Sequence, residues 1–231
     1  MKKNICKMIA IMILLMGMVV FPQNQTVKAT ENKAYVLYVH DQENIAPKIQ
    51  NALKAGHKYI VIPKGEYYCT GVNLNGTDGV TIKATSETVV KQCGSDPILC
   101  VANSYTASNI TIKGGTWDGG NVETPVMRFY GDINGITLAD MTITGSADCG
   151  VRFNNAKSVK IENTVVQNCG SYAVLCDNVD NLTITDSKMN SSKNGLTLRT
   201  CTGLLSIAKS ECMSNSGYGI YASDCGDITM L

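Results

Sequence analysis

Histidine is scarce in this sequence: the chain has only His40 and His57, and both precede its repeated part. A Ser-His-Asp triad built along the repeats is therefore excluded. The ten cysteines include no CxxC pair, so a zinc site is not indicated either. No glycine-rich loop joins a strand to a helix in the pattern that holds a nucleotide.

Charged residues are also few, at 17% of the chain. Residues 1–29 contain four lysines and no acid, so removing them leaves sixteen basic against nineteen acidic groups, a net charge of −3. This balance does not favour nucleic acid as a partner. Glycine, asparagine, threonine and serine are abundant instead, which is typical of a single turn-rich β domain.

The N-terminus has the pattern of a cleavable export signal. Lysines precede an apolar run of fourteen residues, 8–21, and the small residues around Ala29 suit cleavage before Thr30. The run is shorter than the roughly 20 residues of a membrane-spanning helix, although an uncleaved anchor is the alternative. The sequence therefore predicts a secreted protein with no membrane attachment after cleavage.

A repeat of twenty-three residues is the strongest feature of the sequence. Short apolar segments recur at this spacing, and their leading residues are Ile136, Val159, Leu182, Leu205 and Ile228. Two earlier copies begin at Ile110 and Val80. Repeats of this length indicate a solenoid in which each unit packs only on its neighbours.

Each repeat contains three short strands with one apolar and one polar face. A second apolar column follows the first, at Trp117, Ile143, Val166, Met189 and Cys212. A third strand follows in each repeat, as in residues 151–153 and 174–176. Such units predict an all-β fold, a right-handed single-stranded parallel β-helix over residues 59–231.

The two ends differ from the repeats. Apolar residues at helical spacing within residues 43–55 predict a helix that caps the core, in a segment spanning 30–58. The C-terminal strand stops at Leu231 without a polar cap, so we expect an incomplete solenoid or association through this end.

Several segments resemble the pectin-lyase-like superfamily. Residues 49–53 (IQNAL) and 61–67 (VIPKGEY) resemble its entry segment, and residues 109–120 (NITIKGGTWDGG) resemble the first full coil of polygalacturonases. The resemblance implies a β-helix that acts on or binds acidic polysaccharide. Of the polygalacturonase motifs, only Asp148 matches the aspartate pair, Asn194 replaces the histidine, and no Arg-x-Lys is present. Hydrolysis needs two carboxyl groups, so the resemblance favours a lyase or a binding protein.

Two arginines occupy equivalent outward positions of the third strand in neighbouring repeats. Alternation assigns the outward column to Arg128, Arg152, Leu175, Thr197 and Tyr221. Parallel strands lie ~4.8 Å apart, so Arg128 and Arg152 are expected to be close neighbours, which an anionic sugar between them would stabilise. The alternative is a pair of exposed arginines balanced by Asp132 and Asp148.

The resemblance also suggests roles for other residues. It makes Arg152 and Asp148 the catalytic candidates for β-elimination, and Arg128, Arg152 and Tyr221, with Tyr130 as a further sugar contact, the substrate-binding ones. Asp148, Asp177 and Asp180 could bind calcium, although turn aspartates are more often hydrogen-bonding turn formers. Trp117 is expected in the core.

Nine cysteines follow the predicted signal, an odd number. We expect a ladder of mostly core thiols, with Cys201–Cys225 as the favoured disulfide if one forms. The function predicted is binding or degradation of acidic polysaccharide. The alternative is a non-catalytic adhesin or structural β-helix.

Overall fold

The structure, a computed structural model, describes residues 33–231. The predicted export signal therefore lies outside the described residues. Within them, 22 strands and one helix form a parallel solenoid of about nine turns, as predicted. No helix in this part of the chain is long and apolar enough to cross a membrane.

Three parallel sheets of nine, six and seven strands stack along the solenoid, and each repeat contributes at most one strand to each sheet. Sheet A consists of β1 (Tyr35–Val36), β2 (Tyr59–Ile62), β5 (Thr81–Ala84), β8 (Thr106–Lys113), β11 (Asp132–Ala139), β14 (Ala156–Glu162), β17 (Asp180–Thr185), β20 (Thr202–Ala208) and β22 (Ile228–Met230). Sheet B consists of β3 (Gly65–Cys69), β6 (Thr88–Gln92), β9 (Thr116–Asp118), β12 (Thr142–Thr144), β15 (Val165–Gln167) and β18 (Lys188–Asn190). Sheet C consists of β4 (Val72–Asn73), β7 (Leu99–Val101), β10 (Met127–Phe129), β13 (Cys149–Asn154), β16 (Tyr172–Asp177), β19 (Asn194–Arg199) and β21 (Ile220–Ser223).

The predicted apolar columns are confirmed by the strand register. Ile136 pairs with Ile110 on one side and Val159 on the other, and the column continues to Ile228. In sheet B, Trp117 aligns with Ile143 and is fully buried, as expected. The large core residues of sheet C, Phe129 and Phe153, stack with their ring centroids 5.5 Å apart.

Each corner of the solenoid needs a residue with positive φ, which explains the abundance of asparagine, aspartate and glycine. Between sheets A and B this residue is Asp140, Asn163, Asp186 or Lys209, with φ between 43° and 56°. After sheet B it is Gly145, Asn168, Ser191 or Ser214. Asparagine, aspartate and glycine adopt this region at the lowest cost, so the corners recur at the same spacing as the strands.

The capping helix α1 (Ala46–Lys54) begins three residues later than predicted. The Asn44 side chain accepts a hydrogen bond from the Ala46 amide, and Pro47 lies in the first turn, where its missing N–H costs nothing. Ile45, Ile49 and Ala52 are buried and close the core. The described part of this segment, residues 33–58, also contributes β1 to sheet A, which covers the edge of β2.

Candidate functional site

The outer face of sheet C places the predicted arginines side by side. Arg128 and Arg152 are direct register partners on β10 and β13. The outward column along the sheet is Cys100, Arg128, Arg152, Leu175, Thr197 and Tyr221. The predicted adjacency of the two arginines is therefore confirmed. We call Arg128 and Arg152 the arginine pair.

Tyr130 lies between the two guanidinium groups. The central carbon of each lies 5.5 Å from the centroid of the Tyr130 ring, within the range of a cation–π contact. Burial raises the pKa of the Tyr130 hydroxyl, and the positive charges of Arg152 and Arg128 partly oppose that rise. Tyr130 thus stays a neutral phenol at neutral pH and holds both arginines beside its ring.

The Nε atoms of Arg128 and Arg152 are buried and have no hydrogen-bond partner within residues 33–231. A buried donor without a partner costs free energy, roughly 1–3 kcal/mol, unless a bound group satisfies it. Arg128 also forms no salt bridge with any described residue. The arginine pair therefore presents two unsatisfied donors, and the charge of Arg128 has no salt-bridge partner among the described residues.

Arg152 is balanced by a different carboxylate from those expected. Asp177 Oδ2 lies 3.4 Å from Arg152 Nη2, and Asp177 Oδ1 lies 3.7 Å from Arg199 Nη1. Asp132 pairs instead with Lys157, at 3.3 Å, on sheet A. The salt bridge of Arg152 is therefore with Asp177 and not with Asp132 or Asp148, because Asp177 stands two residues beyond Leu175, the register partner of Arg152, on the same face.

The three aspartates proposed for calcium are dispersed. Asp177 is shared by two arginines, and Asp180 accepts hydrogen bonds from Asn181 and Thr202 on sheet A. Asp148 accepts a hydrogen bond from the Cys149 thiol, at 3.2 Å. Within residues 33–231, no three His, Cys, Asp or Glu side chains are grouped to hold a metal ion. A calcium site stays a prediction that this geometry does not support.

Two outward positions of sheet C are buried, not exposed to solvent. Leu175 and Thr197 are 2% and 1% exposed, although alternation placed both on the polar face. Thr197 lies at the base of a groove whose walls are larger side chains, among them Tyr172 and Arg199. Tyr221, the predicted sugar contact, stands at the edge of this groove and is 39% exposed.

The sequence analysis missed Arg199, Tyr172 and Tyr218. Arg199 donates a hydrogen bond to the Tyr172 hydroxyl, at 3.0 Å, and its guanidinium carbon lies 5.6 Å from that ring's centroid. Arg199 is the register partner of Asp177, two residues after the predicted column. Extending the alternation by one outward position beyond Thr197 would have identified Arg199.

Asn194, which replaces the polygalacturonase histidine, braces the corner of the solenoid. Its Oδ1 accepts a hydrogen bond from the Tyr218 amide, at 3.0 Å, and its Nδ2 donates to the Ser171 carbonyl. Asp118, next to Trp117, accepts a hydrogen bond from the Gly120 amide and orders a turn. Both side chains have structural partners.

All nine cysteines of the described residues carry free thiols. Cys201 Sγ donates to the Cys176 carbonyl, and the Cys201 amide donates to Cys225 Sγ at 3.5 Å, so these residues stack in neighbouring coils as expected. The Cys201–Cys225 disulfide is not formed in this structure.

A family model described as "Right handed beta helix region" matches residues 66–204 and, in an overlapping match, residues 134–231. These matches cover more than half of the sequence, and the chain belongs to this right-handed β-helix family. The predicted right-handed β-helix is thereby confirmed.

Among solved structures, the A-module of mannuronan C-5 epimerase AlgE4 from Azotobacter vinelandii is similar. The TM-score is 0.48 at 15% sequence identity, over 84% of this chain and 74% of that one. No curated protein matches the sequence.

Proposed function

We propose that this protein binds acidic polysaccharide on the outer face of sheet C. The observation that carries the proposal is the arginine pair, two guanidinium groups in register that share Tyr130 and keep unsatisfied Nε atoms. Carboxylates suit these groups, because the planar guanidinium fork binds them through two parallel hydrogen bonds.

The charge of the surrounding face favours an anion. Arg128, Arg152 and Arg199 line one face, and Asp177 is the carboxylate that Arg152 and Arg199 contact within the described residues. Asp148 immediately precedes β13 and adds a second negative charge near Tyr130. An anionic ligand would neutralise the positive charge of the arginines that Asp177 leaves unbalanced.

The shape of the face favours an extended polymer. Sheet C is built from strands stacked along the solenoid axis, and its polar and aromatic side chains recur on successive strands. Three strand spacings separate Arg152 from Tyr221, a distance of about 14 Å. A polyuronide chain carries a carboxylate on every sugar and an apolar face on each ring, so it can contact arginines and tyrosines alternately along this length.

Binding of oligogalacturonides by calorimetry tests the proposal. Replacing Arg152 with alanine is expected to weaken binding about ten- to a hundredfold, because charge-assisted hydrogen bonds contribute roughly 1.5–3 kcal/mol. Arg128→Ala should have an effect of similar size. Lys160→Ala and Lys188→Ala are matched controls, since each removes a positive charge from sheet A or sheet B.

Two results would contradict the proposal. One is a parent protein that does not bind uronides. The other is a loss of affinity in the lysine variants equal to that in Arg152→Ala, which would indicate only a general charge effect.

Catalysis at the same face is a further part of the proposal. Arg152 as the base and Asp148 as its partner would perform β-elimination, although Arg152 is held by Asp177 in this structure. Elimination leaves an unsaturated sugar, so ultraviolet absorbance of the same mixtures distinguishes a lyase from a binding protein. An adhesin would bind without producing that absorbance, and a structural spacer would neither bind nor produce it.

The proposal includes export of the protein. N-terminal sequencing of material from the culture medium is expected to start at Thr30, after the small residues that end at Ala29. Retention of Met1, or a start beyond about residue 35, would show that the cleavage assignment is wrong.

A further inference from the structure

A groove with tyrosine walls lies on sheet C, beyond the arginine pair along the solenoid axis. Its volume is about 280 Å³, and its lining residues are Tyr172, Asn194, Thr197, Arg199, Tyr218 and Tyr221. We call it the tyrosine groove. Pockets for drug-sized ligands measure roughly 300–1,000 Å³, so this groove suits a single ring.

Its aromatic walls are exposed without a partner among the described residues. Tyr218 is 61% exposed and Tyr221 is 39% exposed, and their ring centroids lie 5.3 Å apart at an angle of 43°. The two rings form a tilted apolar surface at the mouth of the groove. Exposed apolar surface rimmed by polar groups marks a binding site more often than a scattered single residue does.

The base of the groove carries an unsatisfied polar group. The Thr197 Oγ1 atom is buried and has no hydrogen-bond partner within residues 33–231, and the whole residue is 1% exposed. A hydroxyl can both donate and accept, so it matches the hydroxyl groups of a sugar. Arg199, held by Asp177 and the Tyr172 hydroxyl, adds donors at the side.

We infer that the tyrosine groove is a second subsite, which takes one pyranose ring of the polymer that the arginine pair holds. The C–H face of the ring packs on Tyr218 and Tyr221, because this contact removes apolar surface from water. A ring hydroxyl satisfies Thr197 Oγ1. The inference rests on the proposed function and adds that the polymer lies along the solenoid axis, spanning the three strand spacings from Arg152 to Tyr221.

The test compares a galacturonate disaccharide with a hexasaccharide by calorimetry. The far wall of the groove, at Tyr221, lies about 14 Å from Arg152, so a disaccharide at the arginine pair is too short to reach it and the parent should bind the hexasaccharide more tightly. The double variant Tyr218→Ala/Tyr221→Ala should lose about tenfold in affinity for the hexasaccharide and bind the disaccharide unchanged. Tyr105→Ala, which removes another tyrosine that is 53% exposed, is the matched control.

Thr197→Val tests the base of the groove with an isosteric change. Hexasaccharide affinity should fall about three- to tenfold, because one hydrogen bond is lost, while the melting temperature stays equal or rises. A purely structural role for Thr197 would change the melting temperature and leave affinity alone, and that result would overturn the assignment of the hydroxyl.

The outcomes separate the two hypotheses. If Arg152→Ala weakens binding but the tyrosine double variant behaves like Tyr105→Ala, the groove is not a subsite and the proposed function stands. If the parent binds neither oligosaccharide, both are overturned.

Discussion

Sheets A and C are built from the same repeat, yet their outer faces differ. The outward column of sheet A consists of Thr111, Thr137, Lys160, Thr183, Ser206 and Thr229. Its lysine is neutralised on its own strand by Glu162, at 2.5 Å. The corresponding column of sheet C contains two arginines, a buried threonine with an unsatisfied hydroxyl and a tyrosine.

Under the proposed function, the two faces have different tasks. Small polar residues on a parallel sheet keep the surface solvated and even, which is all that a structural face requires. Clustered arginines and exposed tyrosines go beyond that requirement, and their recurrence on sheet C supports the proposed binding function. If all three sheets had an outer face like that of sheet A, a structural spacer would have been the favoured function.

Among the substitutions considered, one on the inward side of the sheet C strands should have the largest effect on stability. Phe153 is fully buried and stacks on Phe129, so Phe153→Ala should lower the free energy of unfolding by about 3–5 kcal/mol. Denaturant unfolding measures this. Arg152→Ala, one residue away on the outer face, is the control and should change stability by less than about 1 kcal/mol. Equal losses in the two variants would contradict the division into a structural and a binding side.

The cysteines also distinguish the two sheets. Strands of sheet C contain Cys100, Cys149 and Cys176, whereas the described strands of sheet A contain none. Burial raises the pKa of the Cys69 thiol to about 12, and the pKa values of the Cys169, Cys201 and Cys212 thiols to about 11.

These raised pKa values predict lower stability at alkaline pH. Above about pH 9 the unfolded chain loses thiol protons that the folded protein retains, so the free energy of unfolding falls with rising pH. The stabilisation that these protonated thiols give the folded protein is complete below about pH 9 and is lost as the pH rises through about 11–12. Melting temperatures across this range measure it. Cys201→Ala should flatten part of the slope, and an unchanged slope would contradict the assignment.

The geometry of the guanidinium group should matter at the arginine pair. Arg152→Lys keeps the charge but replaces the planar fork with a point charge, so uronide affinity should lie between those of the parent and Arg152→Ala, about three- to tenfold below the parent. Calorimetry with the hexasaccharide measures this. Full recovery by lysine would mean that charge alone attracts the ligand.

The smallest effect is expected on sheet A. Lys160→Ala removes an exposed ion pair with Glu162 and should change the free energy of unfolding by less than about 0.5 kcal/mol. Uronide affinity should remain within about twofold of the parent, as judged by calorimetry. A large loss of binding would indicate that the ligand binds on sheet A and not on sheet C.

The sequence by itself determined the fold and the strand register. Because the repeats are in register, residues twenty-two to twenty-four apart in the sequence become neighbours in space, as Arg128 and Arg152 do. The columns headed by Ile136 and Trp117 follow for the same reason. A parallel solenoid turns sequence spacing directly into spatial adjacency.

The partners of long side chains were decided only by the tertiary structure. Register places Asp177 beside Arg199, but the contact with Arg152 depends on how far that side chain reaches across to the neighbouring strand. The burial of Thr197 likewise depends on the surrounding residues of the tyrosine groove, two of which come from the next coil. The direction of each side chain alternates regularly along a strand and can be read from the sequence. Which neighbours a long side chain contacts, and how deeply it is buried, depend on the rotamers that the neighbouring coils allow. The spacing of residues in the sequence does not encode those rotamers.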